Sequence, residues 1–144
     1  MKPSILTIIQ PDYSSTVERP LLLSKVPAGF PSAADDYLDG KFDLNEHLIK
    51  HKAATFFVRV TGDSMLGAGI HDGDLLIVDK ALEAHDKSVV VAVVNGEFTV
   101  KRIKREHGCV WLMPENKNYQ PMEMLEGSEL EVWGVVTNVI HKLG

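Results

Sequence analysis

Short apolar runs separated by turn-forming residues dominate the chain after residue 54. β-Branched and apolar residues bounded by Gly, Asn or Asp are typical of strands. The predicted strands are Thr55–Val60, Asp74–Val78, Val89–Val94, Glu97–Ile103, Val110–Met113 and Val132–Ile140. Many short strands joined by turns predict a mostly β domain with short helices, built as a curved sheet or a small, partly open barrel.

The dipeptide Asn95-Gly96 between two of these runs predicts a β-hairpin, because a type I′ turn needs positive φ at both central residues. A two-residue turn at this point fixes the register. The predicted pairs are Val94 with Glu97, Ala92 with Thr99, and Val90 with Lys101. Lys101 is therefore expected to share one face of the sheet with apolar residues.

Lys101 has two interpretations at this stage. Burial disfavours an ammonium group and lowers its pKa, and a lysine that is neutral near physiological pH can act as a general base. Alternatively, Lys101 is a surface lysine within the basic run Lys101–Arg105, with its stem on the sheet and its charge in water. The pattern alone leaves both open.

The first thirty residues differ from the rest, because prolines interrupt them repeatedly. Proline at this spacing prevents a regular helix and favours extended backbone, so residues 1–30 are predicted to be an extended arm and residues 31–144 the folded domain. Two short helices are expected early in that domain. One begins at Ser32 and runs through Leu38, and the other is capped by Asp43 with Glu46 at its third position.

Composition and charge argue against several classes of function. The net charge of the 144 residues is −5, which gives no global attraction to nucleic acid. The single cysteine, Cys109, cannot form an intramolecular disulfide, and no Cys/His zinc spacing is present, so no metal or other cofactor is expected. No apolar run is long enough to span a membrane, and the start of the chain does not read as a secretory signal, which favours a cytoplasmic protein.

Ser64 is the candidate nucleophile. It lies in Gly62-Asp63-Ser64-Met65, directly after a predicted strand, where nearby backbone N–H groups can stabilise an oxyanion. An ordinary turn serine has the same local pattern, and a serine needs a base to become nucleophilic. No motif places a histidine there: His47 and His51 could share a helix face but lack the intervening glutamate of a metalloprotease, and the other histidines are interpreted as solvated.

Several ordered motifs resemble the self-cleaving domain of the LexA and UmuD proteins, the S24 peptidase family. They are Gly62–Met65, Gly69-Ile70, Asp72–Asp74, Leu75–Asp79, Gly96–Lys101 and Trp133–Val136. The resemblance implies a LexA/signal-peptidase-like fold. It also implies that Ser64 is the nucleophile and Lys101 the base of a serine–lysine dyad.

Within this family the chain resembles UmuD. LexA-type repressors carry a helix-turn-helix domain before the cleavage site, and the proline-interrupted segment here is too short and too irregular for one, so no sequence-specific DNA binding is expected. The resemblance places the scissile bond between Ala28 and Gly29. The backbone N–H groups of Ser64 and Asp63 are the expected oxyanion donors.

The same resemblance implies a biological role in the SOS response and in SOS mutagenesis. A RecA filament on single-stranded DNA would promote self-cleavage. The processed homodimer would then serve a Y-family, UmuC-like polymerase in translesion synthesis. Two alternatives stay open: a polymerase-binding module of the same fold that has lost cleavage, and a leader peptidase, which the lack of a membrane anchor disfavours.

Overall fold

The computed structural model describes residues 5–14, 16, 18–22, 38–125 and 129–144. The chain divides into a larger unit, Met1–Pro11 with His51–Gly144, and a smaller unit, Asp12–Lys50. The boundary predicted at residue 30, between an arm and a domain, falls within residues 23–37. These residues lie outside the described ones, so that boundary stays a prediction.

Ten strands and one α-helix make up the regular structure of the described residues. In chain order they are β1 Ile5–Ile9, β2 Glu18–Leu22, β3 Leu38–Asp43, α1 Leu44–Leu48, β4 Thr55–Val60, β5 Leu75–Asp79, β6 Val89–Val94, β7 Glu97–Glu106, β8 Cys109–Met113, β9 Met122–Met124 and β10 Leu130–Ile140. Short 3₁₀ turns occur at Lys52–Ala54 and Leu66–Ala68.

The larger unit is one eight-stranded antiparallel sheet with the order β1-β4-β5-β10-β6-β7-β8-β9. Among the described residues its outer strands, β1 and β9, do not pair with each other, so the sheet is open. The prediction of a mostly β fold is confirmed. β4 and β6 have the predicted bounds, whereas β7, β8 and β10 are longer than predicted.

The hairpin of β6 and β7 has the predicted register. Asn95 and Gly96 both have positive φ, at 48° and 82°, as a type I′ turn requires. Val90 lies opposite Lys101 and Ala92 opposite Thr99. This pairing determines which face of β7 carries the lysine.

Alternation along the strands divides the core into two clusters. Val91 and Val100 belong to a cluster with residues of β4 and β5, whereas Val90 and Ala92 belong to another with residues of β7 and β8. Successive side chains of β6 point to opposite faces, which is the period of two that strands impose. Both faces of the central strands are therefore buried, and a polar side chain placed there is shielded from water.

The smaller unit contains the antiparallel pair of β2 and β3 followed by α1. Asp43 caps α1 as predicted, because its side chain accepts a hydrogen bond from Asn45 N at 3.2 Å. The helix predicted to begin at Ser32 falls mostly outside the described residues, and its expected last residue, Leu38, begins β3 instead. No helix within the described residues is long and apolar enough to cross a membrane.

Candidate active site

Ser64 lies in a tight turn that follows β4. Gly62 opens the turn with φ of +92°, and Asp63 O accepts a hydrogen bond from Leu66 N at 3.3 Å. The carboxylate of Asp72 holds the entry to the turn, accepting from Gly62 N at 2.8 Å and from the Thr61 hydroxyl at 3.0 Å. The serine is half-buried, four residues after the end of β4.

Lys101 is buried on β7, with 9% of its surface exposed. Its Nζ lies 3.1 Å from Ser64 Oγ, 2.8 Å from Thr99 Oγ1 and 3.1 Å from Val100 O. Burial lowers the pKa of Lys101, because the neutral amine loses less hydration than the ammonium group. The structure thus supports the buried interpretation of this lysine over the solvated one.

A small pocket opens beside Ser64. It is lined by Val60, Thr61, Gly62, Ser64, Met65, Ile70 and Val100. Most of these groups are apolar or backbone, and Val60, Met65, Ile70 and Val100 are part of the core. A pocket of this kind accepts a small apolar side chain better than a long or charged one.

The loop after β8 supports the serine turn from a distant part of the sequence. Glu115 N donates to Ser64 O at 2.8 Å, and Gly67 N donates to Glu115 O at 2.7 Å. A Cβ atom at Gly67 would lie 2.8 Å from that carbonyl oxygen, which is closer than real Cβ atoms approach. Glycine at this position therefore permits the close approach of the two backbones.

Asp63 is held by the same loop. Its carbonyl oxygen accepts from Asn116 Nδ2 at 2.8 Å, and its carboxylate accepts from the Tyr119 hydroxyl. The hydrogen bond to Asp63 raises the pKa of Tyr119. Arg102, next to Lys101, bonds Glu115 Oε1 through Nε at 2.6 Å, which ties β7 to the loop. These contacts fix the backbone on which Ser64 sits.

Ser64 and Lys101 are thus brought together, and Asp63 lies in the same turn as Ser64. The predicted scissile residues, Ala28 and Gly29, lie outside the described residues, so their assignment stays a prediction. Sequence reasoning did place Thr99 on the face of Lys101. It missed Asn116, which follows Asp63 by 53 residues with no periodic signal to connect them.

The interpretation of His47 and His51 needs correction. His51 does not share a helix face with His47, because α1 ends at Leu48, and His51 Nδ1 instead lies 2.6 Å from Asp79 Oδ2. His71 and His141 are exposed, as predicted for solvated histidines, and both also contact the buried Asp74.

Comparison with known proteins identifies the family. A profile described as Peptidase S24-like matches residues 20–137. The protein SamA of Salmonella typhimurium is 47% identical over 123 residues, covering 85% of this chain and 85% of SamA. MucA of Escherichia coli is 44% identical over 122 residues, covering 83% of this chain and 82% of MucA.

ImpA of Shigella flexneri is similar over a longer stretch. It is 39% identical over 133 residues, which cover 92% of this chain and 90% of ImpA. The profile and these relatives each span most of the sequence, including β4 to β7 and the turn that carries Ser64. The chain therefore belongs to the Peptidase S24-like family, as a UmuD-like member.

Proposed function

We propose that this chain is a self-cleaving serine peptidase in which Ser64 is the nucleophile and Lys101 the general base. The observation that carries the proposal is the 3.1 Å separation of Lys101 Nζ from Ser64 Oγ. A base must lie within hydrogen-bond reach of the proton it removes, and this distance meets that requirement. Membership of a peptidase family supports the same reaction class.

The contacts of Lys101 suit both protonation states that such a base passes through. As an ammonium it donates to Thr99 Oγ1, Val100 O and Ser64 Oγ. As a neutral amine it keeps the donations to Thr99 and Val100, and its lone pair accepts the Ser64 hydroxyl proton. Proton transfer therefore needs no rearrangement of the lysine side chain.

In the proposed reaction Ser64 Oγ attacks the carbonyl carbon of Ala28 while Lys101 takes the hydroxyl proton. The backbone N–H groups of Ser64 and Asp63 stabilise the resulting oxyanion. Lys101 then protonates the amine of Gly29, the peptide bond breaks, and water hydrolyses the Ala28 ester. The small pocket beside Ser64 supports alanine before the scissile bond. Glycine after that bond tolerates a distorted backbone.

Mass spectrometry of the purified protein tests this. After incubation at mildly alkaline pH, alone and with RecA filaments on single-stranded DNA, wild type should yield two fragments separated between Ala28 and Gly29. Ser64→Ala and Lys101→Ala should stay intact. Lys104→Ala is the matched control, because Lys104 lies on the same strand with its side chain 47% exposed. Wild type that stays intact under both conditions would refute the proposal that the chain is a self-cleaving peptidase. A cut at another bond would refute only the assignment of the cleavage site to Ala28 and Gly29.

We further propose that the cleaved product acts in the cytoplasm as a homodimer in SOS mutagenesis. It would serve a UmuC-like Y-family DNA polymerase during translesion synthesis. The UmuD-like relatives support this role. The test is size-exclusion chromatography of the cleaved protein, followed by capture of a UmuC-like polymerase. A cleaved product that is monomeric and captures no polymerase would refute this role. A wild type that stays intact and still captures the polymerase would favour the alternative, a polymerase-binding module of the same fold that has lost cleavage.

A further inference from the structure

Two imidazoles and one carboxylate cluster where the turn before β5 meets the end of β10. His71 and Asp74 belong to the turn, and His141 directly follows β10. β10 runs antiparallel to β5, with Ile140 opposite Leu75. This register brings the last histidine of the sequence next to Asp74, although 67 residues separate them.

The distances within the cluster are short. His141 Nδ1 lies 2.6 Å from Asp74 Oδ1, and His71 Nδ1 lies 3.7 Å from Asp74 Oδ2. The two rings are stacked, with centroids 4.4 Å apart and planes inclined by 30°. One potential ligand atom from each residue lies within 4.8 Å of the other two.

Burial differs sharply between the three side chains. That of Asp74 is 2% exposed, whereas those of His71 and His141 are 48% and 40% exposed. Backbone hydrogen bonds fix the carboxylate and its turn: His71 N donates to Asp74 Oδ2 at 2.7 Å, and Val60 N donates to Asp74 O at 3.1 Å. A rigid acceptor thus lies beneath two rings that solvent can reach.

We propose that His71, Asp74 and His141 bind a divalent transition-metal ion of the zinc class. Two imidazole nitrogens and one carboxylate oxygen form a common zinc ligand set, which leaves a coordination position for water. Hard cations such as Ca²⁺ and Mg²⁺ prefer oxygen ligands, so the two histidines favour zinc, nickel or copper over them.

Binding requires a small rearrangement that the exposure of the rings permits. Zinc–nitrogen and zinc–oxygen distances are about 2.0–2.2 Å, so the stacked rings must rotate until a nitrogen lone pair of each points at one centre. The ion replaces the hydrogen bond between His141 Nδ1 and Asp74 Oδ1, and His141 ligates as the neutral imidazole that carries its proton on Nε2. The buried carboxylate stays in position while the two rings move.

The bound ion would link two segments distant in sequence. The turn that contains His71 also contains Asp72, which bonds Gly62 N and the Thr61 hydroxyl just before Ser64. An ion held by the turn and by the end of β10 would therefore stabilise the larger unit near the serine turn. Any ligand bound only by the folded state raises the melting temperature.

Calorimetric titration of untagged, full-length protein with Zn²⁺ tests the proposal. One ion per chain is expected, with a dissociation constant on the order of micromolar or tighter. His71→Ala and His141→Ala should each weaken binding by about tenfold or more, since each removes one of three ligands. The conservative variant His141→Gln should also weaken it. His107→Ala is the matched control, because His107 is 89% exposed on the β7–β8 hairpin.

Thermal unfolding gives a second measurement on the same variants. Zn²⁺ should raise the melting temperature of wild type and His107→Ala, but not of His71→Ala or His141→Ala. The proposal is overturned if wild type binds no stoichiometric Zn²⁺, or if His71→Ala and His141→Ala bind it as wild type does. Loss of binding in His107→Ala or Cys109→Ser instead would place the ion on the β7–β8 hairpin, which also overturns it.

Discussion

Lys101 Nζ donates a hydrogen bond to Thr99 Oγ1 at 2.8 Å, from two residues along the same face of β7. Thr99 is fully buried, at 1% exposure. Because β-branched threonine has a restricted χ1, it offers a fixed acceptor to a flexible lysine. The hydrogen bond between Lys101 and Thr99 therefore helps to determine where the amine lies relative to Ser64 Oγ.

Thr99→Val keeps the shape of the side chain and removes this acceptor. We expect self-cleavage to slow by about fivefold, since a lost hydrogen bond of about 1 kcal/mol misplaces the base. The midpoint of the pH–rate profile should move to lower pH, because the ammonium form loses one of its acceptors. Thr99→Ser should restore both rate and midpoint. An unchanged rate in Thr99→Val would contradict a positioning role.

The self-cleavage rate should rise with pH as Lys101 loses its proton. Burial lowers the pKa of Lys101, so the rise should be centred below about 10.4, the pKa of an ordinary lysine. The measurement is the first-order rate of fragment formation across a pH series, with Lys104→Ala giving the same profile as wild type. A rate that is independent of pH, or that falls as pH rises, would count against lysine as the base.

Lys101→Met should give an inactive protein that is more stable than wild type at neutral pH. Methionine fills similar space without a charge that must be buried. We expect the free energy of unfolding to rise by about 1–2 kcal/mol at neutral pH. For a domain of this size, each kcal/mol raises the melting temperature by roughly 2–4 °C.

The pH dependence of this difference follows from the lowered pKa. Between that pKa and about 10.4 the unfolded chain binds more protons than the folded one, so wild-type stability rises with pH across this window. The advantage of Lys101→Met should therefore shrink in alkaline buffer. Denaturant unfolding at several pH values measures it, with Lys104→Met unchanged at each. A Lys101→Met protein less stable than wild type at neutral pH would be the opposite result.

Asn116→Ala should slow self-cleavage by about fivefold while costing at most about 1 kcal/mol of stability. It removes the hydrogen bond to Asp63 O and loosens the turn that carries Ser64. The pH midpoint should not move, since Lys101 is untouched. Asn118→Ala is the control from the same exposed loop, where the contact with Asn116 is made by the Asn118 backbone. Equal rates in both variants would show that the loop does not position the serine.

The sequence by itself determined those features of the protein that depend on residues close together in the chain. Asn95-Gly96 set the register of β6 and β7, and the period of two then placed Lys101 opposite Val90 on a buried face. The same reasoning located the strand before Ser64. These features depend on a turn and on neighbours within one hairpin, which local patterning encodes directly.

The local sequence pattern did not predict the individual strands of the first forty residues. Prolines indicated extended backbone, but neither the pairing of β1 with β4 nor that of β2 with β3 was predicted. Strand formation depends on pairing with a neighbouring strand. A local sequence pattern does not identify a partner strand that is distant in sequence. Within the described part of this segment, β1 and β2 are extended strands, whereas the cleavable arm over residues 1–30 stays a prediction.

Tertiary structure alone decided which side chains meet. Ser64 and Lys101 are 37 residues apart, and at the level of the sequence only the family resemblance pairs them. Asn116 reaches Asp63, and His141 reaches Asp74, only because the strand order brings their segments together. Such contacts follow from the pairing of all eight strands into one sheet, which no single stretch of sequence specifies.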